Sequence, residues 1–196
     1  AVAIVVADSS GEARDASEAV IVEYEELPVV TGAVDALKSG APQIHPEAPG
    51  NLIFDWEIGD KARTDKAFAD ADVVSKIELH YPRTHPSPME TCGSLADYDR
   101  ATGKLTVYLT TQAPHIVRAA VAMVAELPEQ NIRIVSPDIG GGFGNKVPIY
   151  PGYVVAILAS ILTEKPVKWI EDKTGNLTST GFGRDVYLKG EMALRI

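Results

Sequence analysis

The apolar positions change period along the chain, and the changes divide it into elements. Val20, Val22 and Tyr24 alternate with Ile21, Glu23 and Glu25, a period of two that predicts a strand with one wet face ending at Pro28. Ahead of it, the apolar opening 1–7 predicts a buried strand. Between the two, Ala13, Ala16 and Ala19 recur on one side of a helix over 11–19, with capping residues at 8–10. A strand, helix, strand unit is the expectation. Residues 31–59 then run rich in Pro, Gly and Ala with no sustained period, and a connection that long reads as a wrapping segment or a domain boundary.

Beyond that connection Val73, Ser75, Ile77, Leu79 and Tyr81 oppose Val74, Lys76, Glu78 and His80, a strand that stops at Pro82. A hairpin is expected next, with 92–98 pairing with 105–109 across the turn 99–103 and Leu105, Val107 and Leu109 as its apolar face. Pro114 fits the first turn of a helix whose Ile116, Ala119, Ala120, Met123 and Leu127 share a face, ended by Pro128. Residues 132–135 and 167–170 predict short strands and 153–162 a core helix. In the last strand, 186–194, Val186, Leu188, Gly190, Met192 and Leu194 alternate with polar neighbours. Helices and strands mix without regular alternation, so the fold class is α+β, with helices packed on mixed or antiparallel sheets.

Composition narrows the function classes. At 196 residues, with 45% hydrophobic and 23% charged, the chain is long and apolar enough to bury its own core. The 18 Lys+Arg against 27 Asp+Glu give a formal charge of -9 with no basic run, which argues against nucleic acid as a partner. Neither apolar stretch, 1–7 or 153–162, is long enough for a helical membrane span, and a cytoplasmic protein is expected. A lone Cys92 excludes an internal disulfide. With four histidines and no metal-ligand spacing, no protein metal ligand is expected. There is no G-x-S-x-G elbow, and Cys92 lacks a convincing base, which leaves nucleophilic hydrolysis unsupported.

The densest chemical signal is 138–146, DIGGGFGNK, between a strand and the core helix. Adjacent glycines allow successive amides to turn inward as an anion nest at a helix start, suited to an anionic cofactor. The spelling fits neither the dinucleotide fingerprint nor the phosphate loop, because Asn145 stands where each needs glycine. A tight turn that lets a helix approach a sheet is the alternative. The second signal is TTQAPH, 110–115. Gln112 at a strand's end can donate its amide to an oxygen ligand or else cap the following helix, and His115 is expected to be a solvated first-turn residue. In HPSPMETC, 85–92, Glu90 is expected to satisfy amide groups of a proline-locked loop, and Glu171 with Asp172 to serve structural hydrogen bonds.

Taken together, HPSPMETC, TTQAPH, SPDIGGGFGNK followed by YPGYVVA, and KPVKWIEDKTGNLTSTGFGRD resemble the large, molybdopterin-binding subunit of the xanthine oxidase family of molybdenum hydroxylases, of the aerobic carbon monoxide dehydrogenase and aldehyde oxidase type. The resemblance implies that Gln112 donates to an oxo ligand of the molybdenum and that the loop Gly141, Gly142, Phe143 and Gly144 brings backbone amides to the ligand sphere and pterin. It implies a molybdopterin cofactor in the cytosine dinucleotide form. It also implies hydroxylation with water as the oxygen source, electrons leaving through an iron-sulfur small subunit to an FAD-binding medium subunit.

On the same resemblance, residues 1–34 end a preceding α/β domain, 35–59 connect, and 60–196 form the first part of the molybdopterin-binding domain. Val147 after Lys146, where purine hydroxylases carry glutamate, disfavours a purine. The copper-binding cysteine loop and the glutamate base are expected beyond Ile196. The expectation is therefore a processed or excised piece forming one wall of the site, inactive and free of cofactor by itself. Its partners would be the remainder of the large subunit, with self-association through apolar surface. The rival class is a non-catalytic interaction or assembly module that binds a partner chain.

Overall fold

The computed structural model describes residues 2–181 and 183–196. Ala1 of the expected opening strand and Phe182 of the last motif lie outside them. The elements in chain order are α1 (Ser10–Glu18), α2 (Ala33–Ala36), α3 (Lys61–Ala69), β1 (Val73–Tyr81), β2 (Gly93–Asp99), β3 (Lys104–Leu109), α4 (Pro114–Ala125), β4 (Ile132–Val135), α5 (Pro151–Thr163), β5 (Val167–Ile170), α6 (Lys173–Ser179) and β6 (Val186–Leu194). They form two compact units interleaved along the chain: 1–21 with 84–183, and 22–83 with 184–196. The α+β class with mixed and antiparallel sheets is what the structure has.

The first unit is built on a four-stranded sheet in the order β4-β3-β2-β5. Strand β2 runs antiparallel to β3 and β5, and β3 runs parallel to β4. The hairpin register sets Ser94, Ala96 and Tyr98 opposite Leu109, Val107 and Leu105. Because side chains alternate, those six share one face, and the predicted apolar face of the hairpin is the one buried. Helices α4 and α5 cover it with Val117, Val121, Tyr153 and Ile157, closing a core that also takes in Cys92 and Ile132. The ring of Tyr153 stands edge-on to those of Tyr150 and Trp169, with centroids 5.9 and 5.7 Å away.

Helix α4 begins at Pro114 as predicted, but its buried face is rotated by about one position. Val117 and Val121 point inward, whereas Ile116 and Met123, placed in the core by the pattern, are 63% and 82% exposed. The helix is apolar nearly all round, and on such a sequence the sheet decides which stripe is covered. Helix α6 escapes the pattern because Gly175 and three Thr or Ser residues give it little propensity. Asp172 starts it by accepting from the Gly175 amide at 2.6 Å.

Helix α1 forms as expected, capped by Ser9, which accepts from the Glu12 amide at 3.3 Å. The strands expected on either side of it do not form. Residues 2–7 and 20–28 pair with no strand and are largely exposed, Ile21 at 89% and Tyr24 at 79%. Alternation identifies a face suited to burial, but a strand exists only where another backbone completes its ladder.

The second unit carries β1 and β6 as an antiparallel ribbon, paired from Val73↔Leu194 to Tyr81↔Val186. Both strands match the pattern. One face is apolar and the other carries the cross-strand pairs Lys76–Glu191 and Lys189–Glu78 at 2.7 and 3.2 Å. Helix α3, capped by Asp60 at the Arg63 amide, also belongs here and was not apparent from the pattern.

The reassigned face of α4 predicts opposite outcomes for neighbouring truncations. Val117→Ala should lower the unfolding free energy by about 1–3 kcal/mol, and Met123→Ala should stay within about 0.5 kcal/mol. Urea unfolding of the two variants checks the order, which reverses if the Ile116–Met123 stripe is the buried one.

Candidate functional site

The first unit's sheet brings the chemically suggestive segments to one end. Parallel pairing of β3 with β4 aligns their carboxyl ends, so that 110–113 and 136–144 leave the sheet side by side. Antiparallel pairing places the start of β2 and the end of β5 at the same end, Ser94 facing Leu109 and Gly93 facing Ile170. Residues 85–92 and 171–181 therefore join the cluster. Clefts beyond the carboxyl ends of parallel strands are where ligands of such sheets bind.

Gln112 sits on the glycine loop. Its Oε1 accepts the Gly144 N–H at 3.0 Å, and its own backbone N–H donates to the Lys146 carbonyl at 3.1 Å. It does not cap α4. That turn is made by buried Thr111, whose Oγ1 accepts from the Ala113 amide at 3.1 Å and donates to the Lys146 carbonyl at 3.0 Å. With Oε1 held by Gly144, the Nε2 group, a donor only, faces away from that bond and meets no protein acceptor among the described residues.

The glycines have identifiable reasons. A Cβ on Gly142 would lie 2.4 Å from Gln112 Oε1, so the close approach of loop and glutamine requires glycine there. Gly144 holds φ +84, and Phe143 adopts φ +53, left-handed for a non-glycine residue, with its side chain 71% exposed. Among the described residues the N–H groups of Gly142 and Phe143 have no protein acceptor. The expected nest at a helix start needs correction: 143–146 form turns and α5 begins only at Pro151, so its N-terminus adds no dipole to the loop. The Gly144 amide is not left for a ligand, since it donates to Gln112 itself.

Below the loop, Lys146 is fully buried and its Nζ donates to Glu90 Oε2 at 2.7 Å. The same oxygen accepts the Gly140 N–H at 2.7 Å. Partial burial pushes the Glu90 carboxyl up, but the hydrogen bonds from Lys146 and Gly140 and the lysine's charge outweigh it and hold the group below its ordinary value of 4.5. Glu90 thus satisfies an amide, but that of Gly140 in the glycine loop rather than one in its own proline-locked loop as expected, and the buried ammonium it serves was missed. A lysine beside glycines reads as solvated unless its fold partner, 56 residues away in sequence, is known.

Other expectations fall in place nearby. Glu171 accepts from Asn176 Nδ2 at 2.8 Å and from the Cys92 amide at 3.2 Å, a structural role, and His115 is exposed. Burial raises the Cys92 thiol to about 11, which keeps it protonated and unreactive at neutral pH. Behind the loop, the Tyr150 hydroxyl donates to the Asn145 carbonyl at 2.5 Å and accepts from the Gly181 amide at 3.3 Å, while Asn145 Nδ2 donates to Thr180 Oγ1 at 2.9 Å. No local pattern announced this network, whose halves lie more than thirty residues apart.

The donor set at the surface consists of N–H groups from Gly142, Phe143 and Gln112, and the nearby carboxylate of Glu90 is matched by Lys146. Donors without competing acceptors suit an anionic, oxygen-rich group. The family model described as the molybdopterin cofactor-binding domain matches residues 44–195. The chain belongs to that family.

Among relatives of this molybdopterin cofactor-binding domain, the carbon monoxide dehydrogenase large chain of Hydrogenophaga pseudoflava is 53% identical over 98% of this chain and 25% of its own length. The structure of CO dehydrogenase from Oligotropha carboxidovorans superimposes with a TM-score of 0.87 at 45% identity, covering 95% of this chain and 25% of that one. Aldehyde oxidoreductase from Desulfovibrio gigas does so at 0.84 and 26% identity, covering 96% and 20%. The chain thus spans about a quarter of the length of the carbon monoxide dehydrogenase large chains it matches. Among the described residues no helix is long and apolar enough to cross a membrane.

Two outcomes test this geometry. Gly142→Ala should push Gln112 off the loop and break its bond with Gly144, seen as a shift of the Gln112 Nε2H2 resonances and loss of protection at the Gly144 amide; unchanged signals would contradict the close approach. Because the Glu90 carboxyl is depressed in the folded state, its contribution is present above the unfolded value of 4.5 and lost as pH falls through the lower folded value. Acid unfolding of Glu90→Gln should therefore be less steep below about pH 4.5 than that of the unmodified protein.

Proposed function

We propose that the chain forms one wall of the molybdopterin site in a molybdenum hydroxylase large subunit of carbon monoxide dehydrogenase or aldehyde dehydrogenase type. The observation that carries this reading is the orientation of Gln112. Its carbonyl oxygen is held by the Gly144 amide, so its Nε2 is left to donate outward beside the unpartnered amides of Gly142 and Phe143. When bound, the molybdenum cofactor supplies oxidative hydroxylation of the substrate with oxygen taken from water.

The chain's own contribution is orientation and polarity. Gln112 Nε2 donates to an oxygen in the metal's ligand sphere, and the Gly142 and Phe143 amides donate to that sphere or to the pterin. Fixed dipoles of this kind need no reorganisation when charge develops in front of them. The cofactor is read as the cytosine dinucleotide form, and the partners as the rest of the large subunit with an FAD-binding medium and an iron-sulfur small subunit. Residues 1–34, which precede the family match, are read as the end of a preceding domain. Val147 in place of glutamate disfavours a purine, leaving carbon monoxide, aldehydes or small heterocycles. The rival reading, a non-catalytic assembly module, has no support in the comparisons.

The test is Gln112→Glu in the assembled enzyme, which keeps the acceptor for Gly144 but replaces the outward donor with an acceptor. Turnover of carbon monoxide or aldehyde should fall by about a hundredfold. Metal analysis of the unmodified enzyme should find molybdenum. Full activity in the variant, or an unmodified enzyme without molybdenum, sinks the proposal.

A further inference from the structure

We infer that Lys146 and Glu90 are positioning residues that set the glycine loop against Gln112, an inference that rests on the molybdopterin reading of that surface. Lys146 acts in two directions. Its carbonyl accepts from the Gln112 amide and from Thr111 Oγ1, at 3.1 and 3.0 Å, fixing the backbone of the glutamine. Its ammonium, 0% exposed, donates to Glu90 Oε2 at 2.7 Å.

Glu90 in turn holds the start of the loop. It accepts the Gly140 N–H through its side chain at 2.7 Å and donates its backbone N–H to the Gly140 carbonyl at 3.3 Å. The loop is therefore pinned at both ends to one carboxylate, and its far end is pinned to Gln112 by the same lysine. The short span between those pins carries the unpartnered amides of Gly142 and Phe143. Among the described residues the Lys146 ammonium has no second acceptor. Without the Glu90 charge a buried ammonium is uncompensated, and the cheapest relief is to move Lys146 outward. That movement carries its carbonyl, and the Gln112–Gly144 bond, with it.

A merely structural ion pair would alter stability and leave the loop's amides where they are. The test separates these with Glu90→Gln, which keeps an acceptor for Gly140 and is half-exposed enough to fold, Lys146→Met, which removes the buried charge at similar shape, and the double variant. Two-dimensional NMR of the chain reads the Gln112 Nε2H2 group and the Gly142 to Gly144 amides, and thermal unfolding reads stability.

Each single variant should shift those resonances and raise exchange at the Gly144 amide, and the double variant should move part of the way back, because it leaves no isolated charge. Lowered midpoints with unmoved loop signals overturn the inference. In the assembled enzyme, Glu90→Gln should lower molybdenum content about tenfold, the scale on which supporting residues act on metal sites. Full loading in that variant also overturns it. An unmodified enzyme without molybdenum instead defeats the molybdopterin reading and the cofactor role with it, while the NMR measurement still decides whether the pair positions the loop.

Discussion

A buried ammonium is the constraint around which this end of the molecule is arranged. Lys146 has no exposed surface, and a charge in such a place is tolerated only beside an opposite charge with good geometry. Glu90 provides it at 2.7 Å, and doing so obliges the proline-rich segment 85–92 to lie under the glycine loop. From that obligation follow the Gly140 bond to the same carboxylate and the close pass of Gly142 over Gln112, which leaves no room for a side chain there while Gln112 keeps its place. A hydrophobic pair in place of Lys146 and Glu90 could equal its stability, but it would not fix the loop's ends to particular hydrogen-bonding atoms.

The sheet topology makes that arrangement attainable. Only one pair in the four-stranded sheet is parallel, and it is the pair whose carboxyl ends carry Gln112 and the glycine loop. Helix α4, between β3 and β4 in the chain, is the crossover that parallel pairing requires. Because it starts at Pro114, two residues after Gln112, the glutamine is held in a tight turn by Thr111 rather than drawn into the helix. The same βαβ step that closes the core therefore sets the glutamine beside the loop.

The parts legible in the sequence were those whose signal is local. Leu105, Val107 and Leu109 alternate and are buried; the glycine run and Gln112 are a loop and a strand end, and the structure joins them. What failed were the choice of the buried stripe on α4 and the pairing of the segments flanking α1. The stripe of Ile116 and Met123 was as apolar as that of Val117 and Val121, and only the sheet beneath chose between them. The alternation at 20–24 is as regular as that at 73–81, yet one forms a ladder with 186–194 and the other has no strand partner. The Lys146–Glu90 pair was hidden for a related reason: burial of a charge is a property of two distant segments, and residue type alone argues for an exposed lysine.

The chain is acidic, and the ammonium of Lys146 beneath the loop is turned inward. Lys146 is matched by Glu90, so attraction for an anion at the loop comes from oriented N–H dipoles and not from net charge. Dipoles act over short range and only along their axes. They favour an oxygen placed in line with Gln112 Nε2 and the Gly142 and Phe143 amides and give little to one displaced from it, whereas a solvated lysine would follow a misplaced anion. Selectivity at such a surface is then as good as the loop's backbone is rigid. Rigidity comes from the two hydrogen bonds at Gly140, the buried ammonium at Lys146 and the Gly144–Gln112 bond between them, which is why the accuracy of the surface depends on a lysine that never reaches it.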